Sequence, residues 1–177
     1  MTEPQAGSDG TALATTLVPD GDDFRLTGTK CHITSALQAH TFLVFCRAPG
    51  TTGPDGIGAV LVDADVEGLG PIETEEKMGG RGVAEGVLRF TDAPVRRDQV
   101  ILEPRPGSKE GASFLIRQFN PERCGNAAMS IGVARAALED AVEYTKEREQ
   151  FGRPILDFQG IQWKIADMAT ELDAARL

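Results

Sequence analysis

The sequence predicts an α+β chain: a small antiparallel barrel or sandwich over residues 1–106, then an α-helical hairpin over residues 107–177. Three observations predict it. Before position 107 the chain consists of short apolar runs separated by Gly, Pro and Asp; after it, long stretches carry helical spacing and few breakers. The strand-like runs follow one another with no helix between them, which argues against a βαβ architecture. A length of 177 residues suits one ordinary domain, or a domain and part of a second.

Residues 24–27, Thr41–Arg47, Ile57–Asp63 and residues 87–91 read as strands, because β-branched and aromatic side chains dominate them. The run Thr41-Phe42-Leu43-Val44-Phe45-Cys46 is nearly all apolar, so it is expected as an interior strand buried on both faces. Pro19-Asp20-Gly21-Asp22, residues 49–58 and Gly79-Gly80-Arg81-Gly82 read as turns. In the second part, Ile131, Ala134, Leu138, Ala141, Val142 and Thr145 recur at steps of three or four, as one stripe of a helix. Asn120-Pro121 ahead of that stripe suits an N-cap followed by Pro at the first helical position. Gly152-Arg153-Pro154 ends the helix, and Phe158, Ile161, Ile165, Met168, Leu172 and Ala175 form a second stripe. Two helices cannot enclose a core alone, so their apolar faces call for further partners. Met1 leads at once into a dense polar motif and Leu177 stops within a helical pattern, so the chain is expected to be an interior piece of a larger subunit.

The 18 Lys and Arg against 27 Asp and Glu give a net charge of −9. Such a chain is not expected to bind nucleic acid or an anionic membrane through bulk electrostatics. Cys31, Cys46 and Cys124 are odd in number and lack CxxC spacing, and only His32 and His40 accompany them. Neither a disulfide framework nor a metal site is expected from that inventory, and reduced thiols in a cytoplasmic protein are the simpler reading. No apolar run approaches the ~18 residues of a membrane span, and no leader pattern opens the chain.

Four blocks carry chemistry. Thr2-Glu3-Pro4-Gln5-Ala6-Gly7-Ser8-Asp9 packs hydroxyls, acids and a glycine into one loop, a composition suited either to a polar turn or to cradling a planar heteroaromatic ring or a phosphate. Gly28-Thr29-Lys30-Cys31-His32-Ile33-Thr34-Ser35, Lys77-Met78-Gly79-Gly80-Arg81 and Arg148-Glu149-Gln150-Phe151-Gly152-Arg153-Pro154-Ile155 with Phe158-Gln159 follow in order. All four resemble signature stretches of the acyl-CoA dehydrogenase family, in that family's order and over nearly the whole chain.

The resemblance implies an antiparallel β-barrel middle domain at 1–106 that binds flavin and acyl-CoA. It implies that 107–177 are the start of a C-terminal helical domain, two helices of a truncated four-helix bundle. It implies FAD as cofactor, α,β-dehydrogenation of an acyl-CoA to a trans-2-enoyl-CoA as the reaction, and a place in fatty-acid β-oxidation. Electron-transfer flavoprotein as acceptor and a homo-oligomeric state are implied in the same way. An acyl-CoA oxidase or flavin monooxygenase of the same superfamily, or a non-catalytic binding module derived from it, are the alternative readings.

Residue by residue, Thr2 and Thr34 match hydroxyls that contact the flavin ring, with Ile33 in the same block, and Ser8 matches a serine shared by cofactor and CoA. Each hydroxyl can also simply bond its own backbone in a turn. His32 departs from the family's usual Trp; its planar imidazole can cover the flavin or alter its electronics, or serve only in packing. Arg148, Gln150, Phe151, Phe158 and Gln159 match positions that reach the FAD of a neighbouring subunit, and a guanidinium suits pyrophosphate oxygens. Outside the match, Arg148 reads as part of a solvated charge run, and Gln159 as a cap for the second helix. Arg123, with Asn120 beside it, matches a contact to CoA. Glu122 falls where some members carry the catalytic base; it can equally serve the dipole of a helix N-terminus.

Overall fold

Short β-rich runs become strands here because every second side chain finds a common core. In the computed structural model, which describes residues 1–177, the strands are β1 (Thr16–Asp20), β2 (Asp23–Thr34), β3 (Thr41–Arg47), β4 (Ile57–Asp63), β5 (Glu73–Thr74), β6 (Glu85–Val95) and β7 (Val100–Leu102). They form one sheet in the order β5-β6-β2-β1-β3-β4-β7. All neighbours pair antiparallel except β1 and β3, which meet in parallel at Thr16 and Arg47. β5 and β7 are the edges, and no pairing joins them, so the closed barrel expected from sequence is not found. With two and three residues, these edge strands offer few backbone groups on which a sheet could close.

Leu17, Leu26, Val44, Val60, Leu88 and Val95 lie at the centre of the core, each almost completely buried. β3 departs from the expectation of burial on both faces: Leu43 is 45% exposed, whereas Val44 to Arg47 are all buried. Its buried half has cover that its first half lacks. Phe114 of the following helix lies 6.0 Å from the Phe45 ring. Arg47 donates to the carbonyls of Leu13, Gly53 and Asp55. β1 is not among the expected strands, and its last two residues, Pro19 and Asp20, fall in the expected turn. That proline is tolerated because β3 pairs only with Thr16, so its missing N–H breaks no ladder there.

The first helix, α1, spans Glu110–Glu147. It therefore begins ten residues before the expected cap at Asn120, and Pro121 lies inside it. The apolar positions that start α1, Ala112 and Leu115, are buried against the sheet unit, so packing sets the helix start and overrides the local cap signal. Gly111 is required where α1 begins, because a Cβ there would collide with the Ile57 carbonyl.

The chain divides into two compact units, Met1–Arg117 and Gln118–Leu177. In the second, α1 is followed by a hairpin of β8 (Glu149–Gln150) and β9 (Arg153–Pro154), then by α2 (Gln159–Arg176). The hairpin turn is Phe151-Gly152, with both residues at positive φ (54° and 76°), as a two-residue hairpin of native twist demands. The expected stripes face inward: Thr145 is buried, and Ile131, Leu138, Ile161, Ile165 and Leu172 are half-buried. Ala134 and Met168 remain open, along a groove of about 450 Å³. No helix is long and apolar enough to cross a membrane.

Candidate functional site

The N-terminal motif folds back on itself before it meets the sheet. Glu3 and Ala6 exchange backbone hydrogen bonds of 2.9 and 3.0 Å, closing a tight loop. The Cys31 N–H then donates to the Thr2 carbonyl at 2.9 Å, fixing Thr2 beside the last residues of β2. The Glu3 carboxylate points into the protein. It accepts from Ala14 N–H at 2.6 Å, Thr15 N–H at 3.1 Å, the Thr15 hydroxyl at 2.6 Å and Lys30 Nζ at 2.6 Å. Burial alone would raise the Glu3 pKa; the Lys30 ammonium, the Thr15 hydroxyl and the Ala14 N–H outweigh it and hold the carboxyl down at about 2. Burial lowers the Lys30 pKa, and the charge of Glu3 resists that shift. Gly28 lets the Thr15 segment approach β2 so closely, since a Cβ at 28 would overlap Thr15.

Past Lys30 the β2–β6 register slips before Ile33, and His32 sits at this bulge with φ 55°. Its N–H and its Nδ1 lie 2.8 and 3.0 Å from the same oxygen, Glu75 Oε2. Ile33 is half-buried against the core, and Thr34 is exposed at the end of β2 opposite Glu85. Glu75 also lines a cavity of about 420 Å³ with Thr74, Lys77 and Arg81. Lys77 donates to the Val83 carbonyl and stands 3.5 Å from Glu85, while Arg81 Nε donates to the Lys77 carbonyl at 2.9 Å. Ser8 is exposed in the loop that follows Ala6.

In the second unit, Arg148 is anchored through its backbone. Its N–H donates to the Tyr144 carbonyl, and its carbonyl accepts from Ile155 N–H, both at 2.8 Å. Its side chain is exposed and enters no ion pair. Phe151 is 94% exposed at the hairpin tip, 6.0 Å from the Phe158 ring in an edge-on arrangement. The Arg153 guanidinium lies 4.2 Å from the centre of that ring. Gln150 bonds the Glu149 carbonyl and keeps an exposed side chain. Gln159 is the first residue of α2 and not its cap, which is Phe158. Asn120, Glu122 and Arg123 are exposed on α1, where Arg123 donates to Asn120 Oδ1 at 3.2 Å. Because α1 begins at Glu110, Glu122 lies three turns inside it, so the reading of Glu122 as a helix-terminal acid is overturned.

Thr2 and the His32–Thr34 stretch are thus brought together in one unit, and the Arg148–Gln159 hairpin presents its groups in the other. Taken by itself, the first group suits a flavin ring, with the half-buried Thr2, the exposed Thr34 hydroxyl and a planar imidazole; in the second unit, the unpaired Arg148 guanidinium suits a pyrophosphate. Sequence reading missed the roles of Glu3, Lys30, Glu75 and Arg153. The Glu3–Lys30 pair spans 27 positions and the Glu75–His32 pair 43, so no local spacing signals either.

Residues 1–93 match the acyl-CoA dehydrogenase middle domain, and residues 109–177 match the acyl-CoA dehydrogenase C-terminal domain. The chain belongs to the acyl-CoA dehydrogenase family. It is 40% identical, over its whole length and 45% of the relative, to a 3-sulfinopropanoyl-CoA desulfinase of Paraburkholderia xenovorans LB400. It is likewise 40% identical, over its whole length and 46% of the relative, to CarC, a subunit of the caffeyl-CoA reductase–Etf complex of Acetobacterium woodii. Among solved structures, it resembles a Mycobacterium smegmatis glutaryl-CoA dehydrogenase in complex with FADH2, with TM-score 0.85 and 29% identity over 98% of this chain and 42% of the other. The chain spans less than half the length of the curated relatives it matches.

Proposed function

We propose that this chain forms the flavin- and acyl-CoA-binding part of an FAD-dependent acyl-CoA dehydrogenase. Residues 1–106 are its middle domain and 107–177 the start of its C-terminal helical domain. The observation that carries the reading is the bond from Cys31 N–H to the Thr2 carbonyl, which sets Thr2 beside His32–Thr34 in a chain of this family.

When bound, FAD supplies the acceptor for the hydride that leaves C3 of the acyl chain. Thr2 and Thr34 hold the flavin ring through their hydroxyls, and His32 covers it, with Ile33 fixing the strand end in the core. Arg148 clasps the pyrophosphate, with Gln150, Phe151, Phe158 and Gln159 around it at a neighbouring subunit's cofactor. Asn120 and Arg123 hold the CoA moiety, and Ser8 stands at the boundary between the two ligands. Glu122 removes the C2 proton, so that the pair of electrons left at C2 completes the C2–C3 double bond as hydride leaves C3. The protein works as a cytoplasmic homo-oligomer with electron-transfer flavoprotein as acceptor, a choice supported by the Etf complex in which CarC takes part.

A second reading rests on the 40% identity to the desulfinase: loss of the sulfur group from a 3-sulfinylated acyl-CoA. Incubation with a saturated acyl-CoA and with 3-sulfinopropanoyl-CoA, followed by mass analysis of the CoA products, separates the two. An enoyl-CoA lacking two hydrogens supports the dehydrogenase; sulfur release from the second compound alone supports the desulfinase.

A further inference from the structure

We propose that His32, Glu75 and Glu85 form a divalent-cation site suited to zinc, in which the ion takes over the charge neutralisation that Lys77 now gives Glu85. The three residues come from separate segments, namely the β2 bulge, the stretch after β5 and the start of β6. Their ligand atoms nonetheless all lie within 4.8 Å of one another. An imidazole and two carboxylates are a donor set of the kind zinc takes, with water free to fill the fourth position. Tetrahedral ligands at about 2.0–2.1 Å from zinc stand about 3.3 Å apart. The separation of His32 Nδ1 from Glu75 Oε2, 3.0 Å, is already close to that.

The backbone holds this arrangement before any ion arrives. The Glu75 N–H donates to the Glu85 carbonyl at 2.9 Å, and the His32 N–H is bound to Glu75 at 2.8 Å. The site therefore needs only small side-chain adjustments. Two partly buried carboxylates this close repel each other unless a cation stands with them. At present the nearby cation is the Lys77 ammonium, 3.5 Å from Glu85. It is the built-in competitor of the ion, and its removal is the sharpest probe of the site.

Zinc titration of the chain, in a Cys124→Ser background that removes the exposed thiol, tests the proposal. The expected result is saturable one-to-one binding. Loss of an outer-shell partner of a metal typically costs about 10–100-fold in affinity, so His32→Ala or Glu85→Gln, each removing a direct ligand, should weaken binding at least tenfold. Lys77→Met should tighten it. The wild-type chain has only two histidines, His32 and His40. Imidazole NMR therefore gives a readout that survives if a variant fails to fold: His32 signals shift with zinc and those of His40 do not. Binding that never saturates, equal affinity after His32→Ala, no tightening with Lys77→Met, or an unmoved His32 signal would each overturn the site. These readouts use zinc alone, so their failure leaves the dehydrogenase reading untouched.

Discussion

Lys30 Nζ stands 2.6 Å from the carboxylate of Glu3, and both side chains are almost wholly buried, 1% and 2% exposed. Lys30 also donates to the Met1 carbonyl at 3.1 Å. The pair therefore clamps the opening motif onto β2, next to the bond that fixes Thr2. A buried pair of this kind is weak evidence for net stability, but breaking one partner of it is costly.

Lys30→Met alone leaves a buried carboxylate without its counter-charge, and should destabilise the chain by about 3–5 kcal/mol. The double change Glu3→Gln with Lys30→Met removes both charges and should cost clearly less than the sum of the two single changes. A urea-melt double-mutant cycle measures the coupling. Additive single effects would mean that the two groups do not act on each other.

The same pair makes stability depend on pH. Glu3 is depressed from 4.5 to about 2 in the folded chain, so its contribution is complete above about pH 4.5 and is lost as pH falls toward 2. The loss amounts to about 3 kcal/mol at most. Lys30, lowered by burial, also makes stability rise with pH, but only in the range just below its ordinary value of 10.5, so the acid loss belongs to Glu3. Thermal melts between pH 5 and 2 should fall more steeply for the wild type than for the double variant; equal slopes would refute the linkage.

Gly111→Ala drives a methyl group into the Ile57 carbonyl and should lower stability by about 1–3 kcal/mol. Gly132→Ala, in the same helix with nothing within 4 Å, should instead be neutral or stabilising, by up to about 1 kcal/mol. Matched melting curves of the two variants check the contrast.

Local pattern carried much of this fold. β3 and β4 coincide with the expected Thr41–Arg47 and Ile57–Asp63, because each is an apolar, β-branched or aromatic run bounded by turn residues. α1 was misjudged at its start: Asn120-Pro121 has the chemistry of a cap, yet burial of Ala112 and Leu115 extends the helix backward. β1 is not among the expected strands, and its Pro19 is harmless only because of which neighbour strand is absent there. At the candidate site, the motif residues were legible as blocks. Their supports were not, because Glu3 reaches Lys30, and Glu75 reaches His32, only after the sheet has formed.

Arg148→Ala in the cofactor-loaded protein should impair FAD retention more than acyl-CoA affinity, and Arg148→Lys should restore only part of it, since an ammonium cannot bind bidentately. Equilibrium dialysis of flavin and of acyl-CoA gives both numbers. The opposite order would remove Arg148 from the cofactor site.

Glu122→Gln keeps shape and polarity but removes the proton acceptor. General-base catalysis is typically worth about 10²–10⁴-fold, so turnover should fall by at least two orders of magnitude with flavin content unchanged. A loss below about tenfold would place the base on another residue.

Anaerobic mixing of the FAD-loaded protein with a saturated acyl-CoA, followed by the flavin absorption and the CoA products, bears most directly on acyl-CoA dehydrogenation. The expected result is bleaching of the oxidised flavin, with one trans-2-enoyl-CoA formed per flavin reduced. A flavin that keeps its full oxidised absorption against short, long and branched acyl-CoAs alike, with no enoyl-CoA formed, would contradict it.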